Sequence, residues 1–248
     1  MSGHSKWSTI KHKKAAVDAK RGKIFTRLAK EITIAAREGD ANPEFNPALR
    51  LAIDKAKKAN MPNDNIDRAI KRGTGELDGG ELFEIVYEGY GSHGVGILIE
   101  CVTDNKNRAV AEIRHTLNKH GGNMATAGAV SWQFTQKGYF ATSQKVDQDE
   151  FFMLVADAGA EDVQFSDDLA EVFAEKDLFN EVRSAIQDEG IELEEANLIY
   201  DPNNPMDLSA GESLQVMKLI EALEDLDDVQ NVYSVLNISD EAIAAMEG

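Results

Sequence analysis

Apolar residues in the first 75 positions recur every three or four residues, which is the period of an amphipathic helix. The first of these stripes predicts a helix that ends near Gly39. A second helix is predicted to begin at Asn46-Pro47, because asparagine caps free amides and proline suits the first helical position. It stops at 60–62, and a third, shorter helix follows from about Asp64 to Gly73. This part of the chain is therefore predicted to be all-helical.

Between residues 82 and 136 the apolar spacing changes to that of β-strands. Paired strands are predicted over Phe83 to Tyr90 and Val95 to Thr103, followed by a helix over Arg108 to His120 and a strand over Val130 to Phe134. Residues 138–201 are predicted to form a βαββαβ series, which is the element order of a ferredoxin-like unit. A helix and a strand between Ser213 and Leu236 remain, and they complete the sheet that the 82–136 region begins.

The sequence thus predicts an α+β protein of three domains, an N-terminal all-helical domain followed by two α/β domains of ferredoxin-like character. The predicted bounds are 1–77 for the helical domain and 78–137 plus 204–248 for a discontinuous middle domain. Residues 138–203 form a third domain inserted into the second.

Charge is distributed unevenly along the chain. Residues 1–75 carry 17 Lys/Arg against 8 Asp/Glu, whereas residues 138–248 carry 4 against 28, within a total net charge of −18. A basic module at the start of an acidic chain favours a nucleic-acid-binding end. The alternative is that each domain has a solvated surface of one sign.

Several classes of protein are disfavoured. No apolar run reaches the roughly 18 residues of a transmembrane helix, and the Lys-rich start lacks the apolar stretch of a secretory signal. The lone Cys101 excludes a disulfide scaffold and fits a reducing cytoplasm. Gly89 to Gly94 matches G-x-G-x-x-G, but a strand follows it, so we predict a hairpin loop and not a dinucleotide site.

Catalytic and metal-binding patterns are also missing. No nucleophile has a base at a recognisable spacing along the sequence. The carboxylates between Glu221 and Asp228 are interpreted as a solvated helix face and its end. We therefore expect a protein that is not an enzyme and that takes no cofactor, metal or small-molecule substrate. A monomer or a weak homo-oligomer is expected.

The basic region contains a regular row of cations. Lys20, Lys23, Arg27 and Lys30 step by three, four and three residues, which places them within an arc of roughly 80° on a helix, opposite its apolar side. Such a row can displace the counterions of a phosphate backbone. We assign nucleic-acid contacts to these four and to Lys6, Trp7, Lys11, His12, Lys13, Lys14 and Arg21. A solvated helix face is the alternative for the row, and an anchor into its own domain is the alternative for Trp7.

A second, weaker basic cluster contains Lys106, Arg108 and Arg114, at a predicted junction between a strand and a helix. We assign these three residues to the same nucleic-acid surface. The alternative is that the polar residues of 104–108 cap the helix, since asparagine and aspartate satisfy the free amides of a first turn.

Several blocks of sequence resemble the YebC/PmpR family, and the resemblance runs essentially end to end. The blocks are Gly3-His4-Ser5-Lys6-Trp7, Lys20-Arg21-Gly22-Lys23-Ile24-Phe25, Tyr87-Glu88-Gly89-Tyr90-Gly91, Asp104-Asn105-Lys106-Asn107-Arg108, Glu112-Ile113-Arg114-His115, Gly121-Gly122-Asn123 and Leu223-Glu224-Asp225-Leu226-Asp227-Asp228-Val229-Gln230. The resemblance implies a cytoplasmic protein of three domains, usually described as a DNA-binding transcriptional regulator. Some members are described instead as translation factors that act on ribosomes stalled at proline-rich stretches, and a mitochondrial relative activates translation of a respiratory-chain subunit.

The sequence therefore predicts a nucleic-acid-binding regulator of gene expression, with DNA and transcription as the first hypothesis. A ribosome-associated translation factor that contacts ribosomal RNA is the alternative, because both nucleic acids present the same phosphate charge. A structural or adaptor protein without nucleic acid is the third hypothesis.

Overall fold

The structure is a computed structural model that describes residues 21–78, 80–166 and 169–247. It contains two compact units. The main unit comprises the described residues up to Phe134 and from Pro202 onward, and the inserted unit is Thr135–Asp201. The predicted helical and middle domains therefore lie within one compact unit. Among the described helices, none is long and apolar enough to cross a membrane.

The described helices and strands follow one another in a mixed order. The helices are α1 (Arg21–Glu38), α2 (Pro47–Lys58), α3 (Asn63–Gly73), α4 (Lys106–Lys119), α5 (Gln148–Asp157), α6 (Phe179–Asp188), α7 (Ala210–Glu224) and α8 (Asp240–Glu247). The strands are β1 (Phe83–Tyr90), β2 (Gly96–Thr103), β3 (Asn123–Met124), β4 (Phe134–Thr142), β5 (Ala160–Phe165), β6 (Ala170–Glu175), β7 (Glu195–Pro202) and β8 (Val229–Ser234).

Helices α1, α2 and α3 pack around one apolar core, as the spacing predicts. The side chains of Ile32, Leu49 and Ile66 are almost completely buried there. Asn46 caps α2 as predicted, because its side chain accepts a hydrogen bond from the Leu49 amide at 3.0 Å. Helix α3 lies so close to α1 at its last residue, Gly73, that an added Cβ would be 2.4 Å from the Thr33 carbonyl oxygen.

The sheet of the main unit has the strand order β3-β1-β2-β8 with antiparallel pairs throughout. Strand β2 is buried along nearly its whole length, and α7 and β8 come from the chain segment after the insertion, as predicted. The loop between β1 and β2 is a hairpin with a short 3₁₀ turn at Ser92–Gly94, in which His93 and Gly94 have positive φ. The prediction of a hairpin at the G-x-G-x-x-G match is confirmed.

The prediction of a strand over Val130 to Phe134 is wrong. Residues Ser131–Gln133 form a 3₁₀ turn, and Phe134 begins a strand of the other sheet. The amides of Val130 and Ser131 donate to the carboxylate of Glu88 at 2.6 and 3.0 Å, so they are not available for a sheet ladder. The two-residue strand β3 was not predicted.

The inserted unit has the strand order β5-β6-β4-β7, with α5 and α6 packed on the sheet. This order together with the βαββαβ sequence of elements is the ferredoxin-like arrangement that the sequence predicts. Its core is apolar, with Phe140, Val155 and Val182 fully buried. The unit carries 4 Lys/Arg and 18 Asp/Glu, so its net charge is −14.

Candidate nucleic-acid interface

Three cations of the predicted row bind other residues of the main unit. The Lys23 ammonium donates to the Asp225 carbonyl at 2.7 Å, and the Arg27 guanidinium donates to the Gln230 carbonyl. Lys30 Nζ donates to the carbonyl of Val102 at 2.8 Å. We call Lys23, Arg27 and Lys30 the docked cations. They attach α1 to the end of β2 and to residues 225–230, which run from the end of α7 into β8.

Asp228 is the acidic partner at the centre of this contact. Its carboxylate is almost fully buried and accepts hydrogen bonds from Lys30 Nζ at 2.9 Å, Arg108 at 2.8 Å and the Thr103 hydroxyl at 3.0 Å. Burial by itself would raise the pKa of Asp228, but the hydrogen bonds from Lys30 and Arg108 outweigh it and hold the pKa below its ordinary value. The carboxylate is therefore charged and paired at neutral pH.

The described members of the predicted row therefore have internal partners, although Lys23 is exposed to solvent. The side chain of Lys30 is only 14% exposed. Helical spacing correctly places these residues opposite Phe25 and Ile32, but it cannot show that the α7–β8 turn covers that side. The nucleic-acid contact assigned to the docked cations stays a prediction, and it requires this contact to open.

Most of the other predicted residues in the first part of the chain lie outside the described residues. These are Lys6, Trp7, Lys11, His12, Lys13, Lys14 and Lys20. Arg21 opens α1, and its side chain lies outside the description as well. Their assignment to nucleic acid stays a prediction.

The second basic cluster separates into three roles. Asn105 caps α4 by accepting a hydrogen bond from the Arg108 amide at 3.1 Å, so the alternative of helix capping is confirmed for this residue. Lys106 lies over the Phe83 ring at 3.8 Å from its centroid. The Arg108 guanidinium pairs with Asp104 and Asp228. Arg114 is exposed, so the structure does not bring the three predicted cations into one free patch.

A different group of cations, in the helical part of the main unit formed by α1, α2 and α3, has no partner among the described residues. Its members are exposed and make no hydrogen bond or ion pair with any described residue. We call them the free cations: Lys57, Lys58, Arg68, Lys71 and Arg72. They lie at the end of α2 and along α3. Their signal in the sequence is that they fall on the polar side of two predicted helices, but the sequence alone does not separate them from cations that meet an internal partner.

A cleft of about 1030 Å³ lies in the main unit between the helical part and the sheet. Arg68 and Arg72 border it from α3, and Asp104 and Glu112 border it from the other side. Because its walls carry both positive and negative charges, the cleft does not favour the binding of a polyanion. Arg68 and Arg72 are also exposed to solvent, so the solvent side of α3 is the better candidate surface.

Among the described residues, no group of histidine, cysteine or carboxylate side chains could hold a metal ion. The predicted solvated face at the end of α7 is wrong for Asp228, which is buried in ion pairs. Asp225, three residues earlier, is about half exposed.

Comparison with known proteins identifies relatives over nearly the whole chain. Residues 5–76 match the family model described as the TACO1/YebC protein N-terminal domain, and residues 82–236 match the one described as the TACO1/YebC second and third domain. A "Probable transcriptional regulatory protein" of Desulfatibacillum aliphaticivorans is 52% identical and aligns over 98% of this chain and 99% of its own length. A protein of the same name from Dictyoglomus turgidum is 49% identical over 99% of this chain and all of its own length.

A solved structure has the same fold. The conserved hypothetical protein Aq1575 of Aquifex aeolicus superposes with a TM-score of 0.83 at 43% sequence identity, covering 93% of this chain and 96% of that one. The resemblance noted from sequence blocks is confirmed, and the names of the relatives support a regulator. This chain belongs to the TACO1/YebC family.

Proposed function

We propose that this protein is a nucleic-acid-binding regulator of gene expression and that it acts as a DNA-binding transcriptional regulator. It acts in the cytoplasm by binding and not by catalysis, as a monomer or a weak homo-oligomer. The observation that carries the proposal is the group of free cations at the end of α2 and along α3. They lie within residues 1–75, which contain 17 Lys/Arg against 8 Asp/Glu. Cations that meet no partner among the described residues are available to phosphate groups.

The charge of the rest of the chain supports selective binding. With a net charge of −14, the inserted unit repels a polyanion, so contact is favoured at the helical part alone. Five free cations that each neutralise one phosphate of duplex DNA give a slope of about −4.5 in a plot of log affinity against log salt. Lysines before residue 21 add to this value if they also bind phosphates.

The proposal is tested first by the salt dependence of binding. Fluorescence anisotropy with a labelled 30-base-pair duplex, measured between 50 and 300 mM salt, is expected to give a slope of −4 or steeper. A slope near −1, or no binding at the lowest salt, overturns the proposal.

Crosslinking in living cells distinguishes transcription from translation. After digestion, the proposal expects discrete chromosomal DNA upstream of genes to remain bound to the protein. Recovery of mainly ribosomal RNA from one region of the ribosome overturns the transcriptional part and makes the protein a ribosome-associated translation factor.

A further inference from the structure

Helices α2 and α3 are joined by a tight turn of four residues, 59–62. At the end of α2 the Asn60 amide donates to the Lys57 carbonyl at 2.9 Å, and the Met61 amide donates to the Ala56 carbonyl at 2.9 Å. This pair of hydrogen bonds is the Schellman arrangement, which requires a left-handed residue at its centre. Asn60 has φ of 60° and fills that role, since asparagine tolerates the left-handed region better than most residues.

Buried side chains hold the two helices at this turn. Ala56 is fully buried at the end of α2, Met61 in the turn is 4% exposed, and Ile66 and Ala69 anchor α3 from its inner side. Helix α1 packs against both, and the Thr33 hydroxyl donates to the Ala69 carbonyl at 3.1 Å. Helix α3 is therefore a supported helix with one side in the core and the opposite side in solvent.

The solvent side of α3 carries polar groups at helical spacing. Asp64, Arg68 and Lys71 follow one another at intervals of four and three residues, and all three are exposed. Asn63 precedes them at the start of the helix, and Arg72 follows. Arginine matches the edge of guanine, asparagine matches adenine, and aspartate accepts from the amino group of cytosine.

We propose that α2 and α3 form a helix-turn-helix unit that places α3 in the major groove of duplex DNA. In such a unit a turn of three or four residues joins two helices, and the second helix contacts the bases. An α-helix of 10–12 Å diameter fits the major groove of B-form DNA, which is about 12 Å wide. The inference rests on the proposed function and names the surface and the form of nucleic acid that it uses.

The same geometry distinguishes DNA from RNA. The major groove of duplex RNA is deep and narrow, so a supported helix cannot enter it. Asp64 and Asp67 on α3 repel phosphates, which weakens contact with the backbone alone and favours sites whose bases suit these side chains. The DNA form and the dependence on sequence are therefore both expected of this surface.

The first test compares two double variants of the full-length protein. R68A/K71A removes two free cations from the solvent side of α3, and K119A/K218A removes two exposed cations elsewhere in the main unit. The probes are a mixed-sequence DNA duplex of 30 base pairs, the same sequence as an RNA duplex, and DNA duplexes enriched by the wild type from a randomised pool. Loss of one base-contacting arginine costs about 5- to 150-fold in affinity, and loss of one phosphate contact reduces the salt slope by about one.

The expected result is that R68A/K71A weakens binding to the enriched duplex at least tenfold, while K119A/K218A changes it less than threefold. Wild-type protein binds the DNA duplex more tightly than the RNA duplex. Equal loss in the two double variants, or tighter binding to RNA, overturns the inference but leaves nucleic-acid binding in place. Absence of wild-type binding to every probe overturns the proposed function itself.

A second measurement needs no variant. Acetylation of lysines with and without DNA is expected to show protection of Lys71 and none of Lys218. Methylation of guanine N7, which lies in the major groove, is expected to interfere with binding. An unprotected Lys71 in the bound complex, or indifference to N7 methylation, overturns the inference.

Discussion

Replacing Asp228 with asparagine tests whether the docked cations hold α1 to the rest of the main unit. The substitution keeps the size of the side chain and removes its charge. The Asp228 side chain is 3% exposed and accepts hydrogen bonds from Lys30 and Arg108. The variant therefore leaves these two cations without the negative charge that they share. Asp225→Asn is the matched control, because that carboxylate is 49% exposed and 3.8 Å from Lys23.

The size of the effect follows from the remaining contacts. Breaking a buried ion pair by removing one partner costs about 3–5 kcal/mol. Lys30 keeps two carbonyl acceptors, and the side chain of Arg108 is 44% exposed and keeps Asp104. We therefore expect a loss of about 2–3 kcal/mol for Asp228→Asn. The control, an exposed pair, is expected to cost about 1 kcal/mol or less.

Hydrogen exchange resolved by peptide is the appropriate assay, because two compact units do not guarantee one unfolding transition. Opening of the contact between α1 and the α7–β8 turn exposes amides in both segments. A cost of about 2–3 kcal/mol corresponds to exchange that is about 30- to 150-fold faster in α1 and β8. Peptides from the inserted unit serve as the internal reference.

The pH dependence of the stability difference between wild type and Asp228→Asn provides the result that could refute this reasoning. The pKa of Asp228 is lowered in the folded protein because the hydrogen bonds from Lys30 and Arg108 outweigh the effect of burial. A lowered pKa contributes stability above the ordinary value of 3.8 and loses it as the pH falls through the folded value. The difference between wild type and Asp228→Asn should therefore be largest at neutral pH and shrink below pH 4 or so. A difference that does not change with pH, or one no larger than that of Asp225→Asn, refutes the reasoning.

Three further predictions concern the main unit. Gly73→Ala should lower the free energy of unfolding, measured in urea, by about 1–3 kcal/mol, because an added Cβ would lie 2.4 Å from the Thr33 carbonyl oxygen. Gly22→Ala is the control, since Gly22 has open space around it and its replacement should leave that free energy unchanged. Glu88→Gln should lower the melting temperature at neutral pH and less so in acid, since its carboxylate accepts three backbone amides that lower its pKa against the effect of burial; equal losses at both pH values would contradict this. The buried Cys101 thiol, whose pKa burial raises to about 12, should react with iodoacetamide at pH 8 only after unfolding; rapid labelling of the folded protein would show that this part of the sheet opens.

Local sequence rules predicted the helical part of the fold well. Caps, apolar spacing and stop signals are short-range, so Asn46 and Gly73 revealed where helices begin and end. The same rules failed at Val130, because the group that takes its amide is the side chain of Glu88, 42 positions earlier in the chain. A strand pattern does not show that a distant carboxylate will take the hydrogen bonds.

The candidate site could be predicted only in part for a related reason. Charge and spacing identified the basic helical region, but they could not distinguish cations that meet an internal partner from cations that stay free. Lys30 and Asp228 are 198 positions apart, and only the folded chain shows that they pair. Lys71 looks less significant in the sequence than Lys30, yet it is the one without a partner among the described residues.

The order β3-β1-β2-β8 has a consequence for synthesis on the ribosome. Strand β2 is buried and apolar, and its partner β8 begins 126 residues after Thr103. At 5–20 residues per second, one edge of β2 stays unpaired for roughly 6–25 s until β8 has been synthesised. The contacts of α1, which ends at Glu38, with residues 225–230 form later still, roughly 9–38 s after α1 has been made. Nascent chains therefore pass through a stage with an open apolar strand edge and undocked cations on α1, and a chaperone that covers such edges would be needed most during synthesis of the inserted unit.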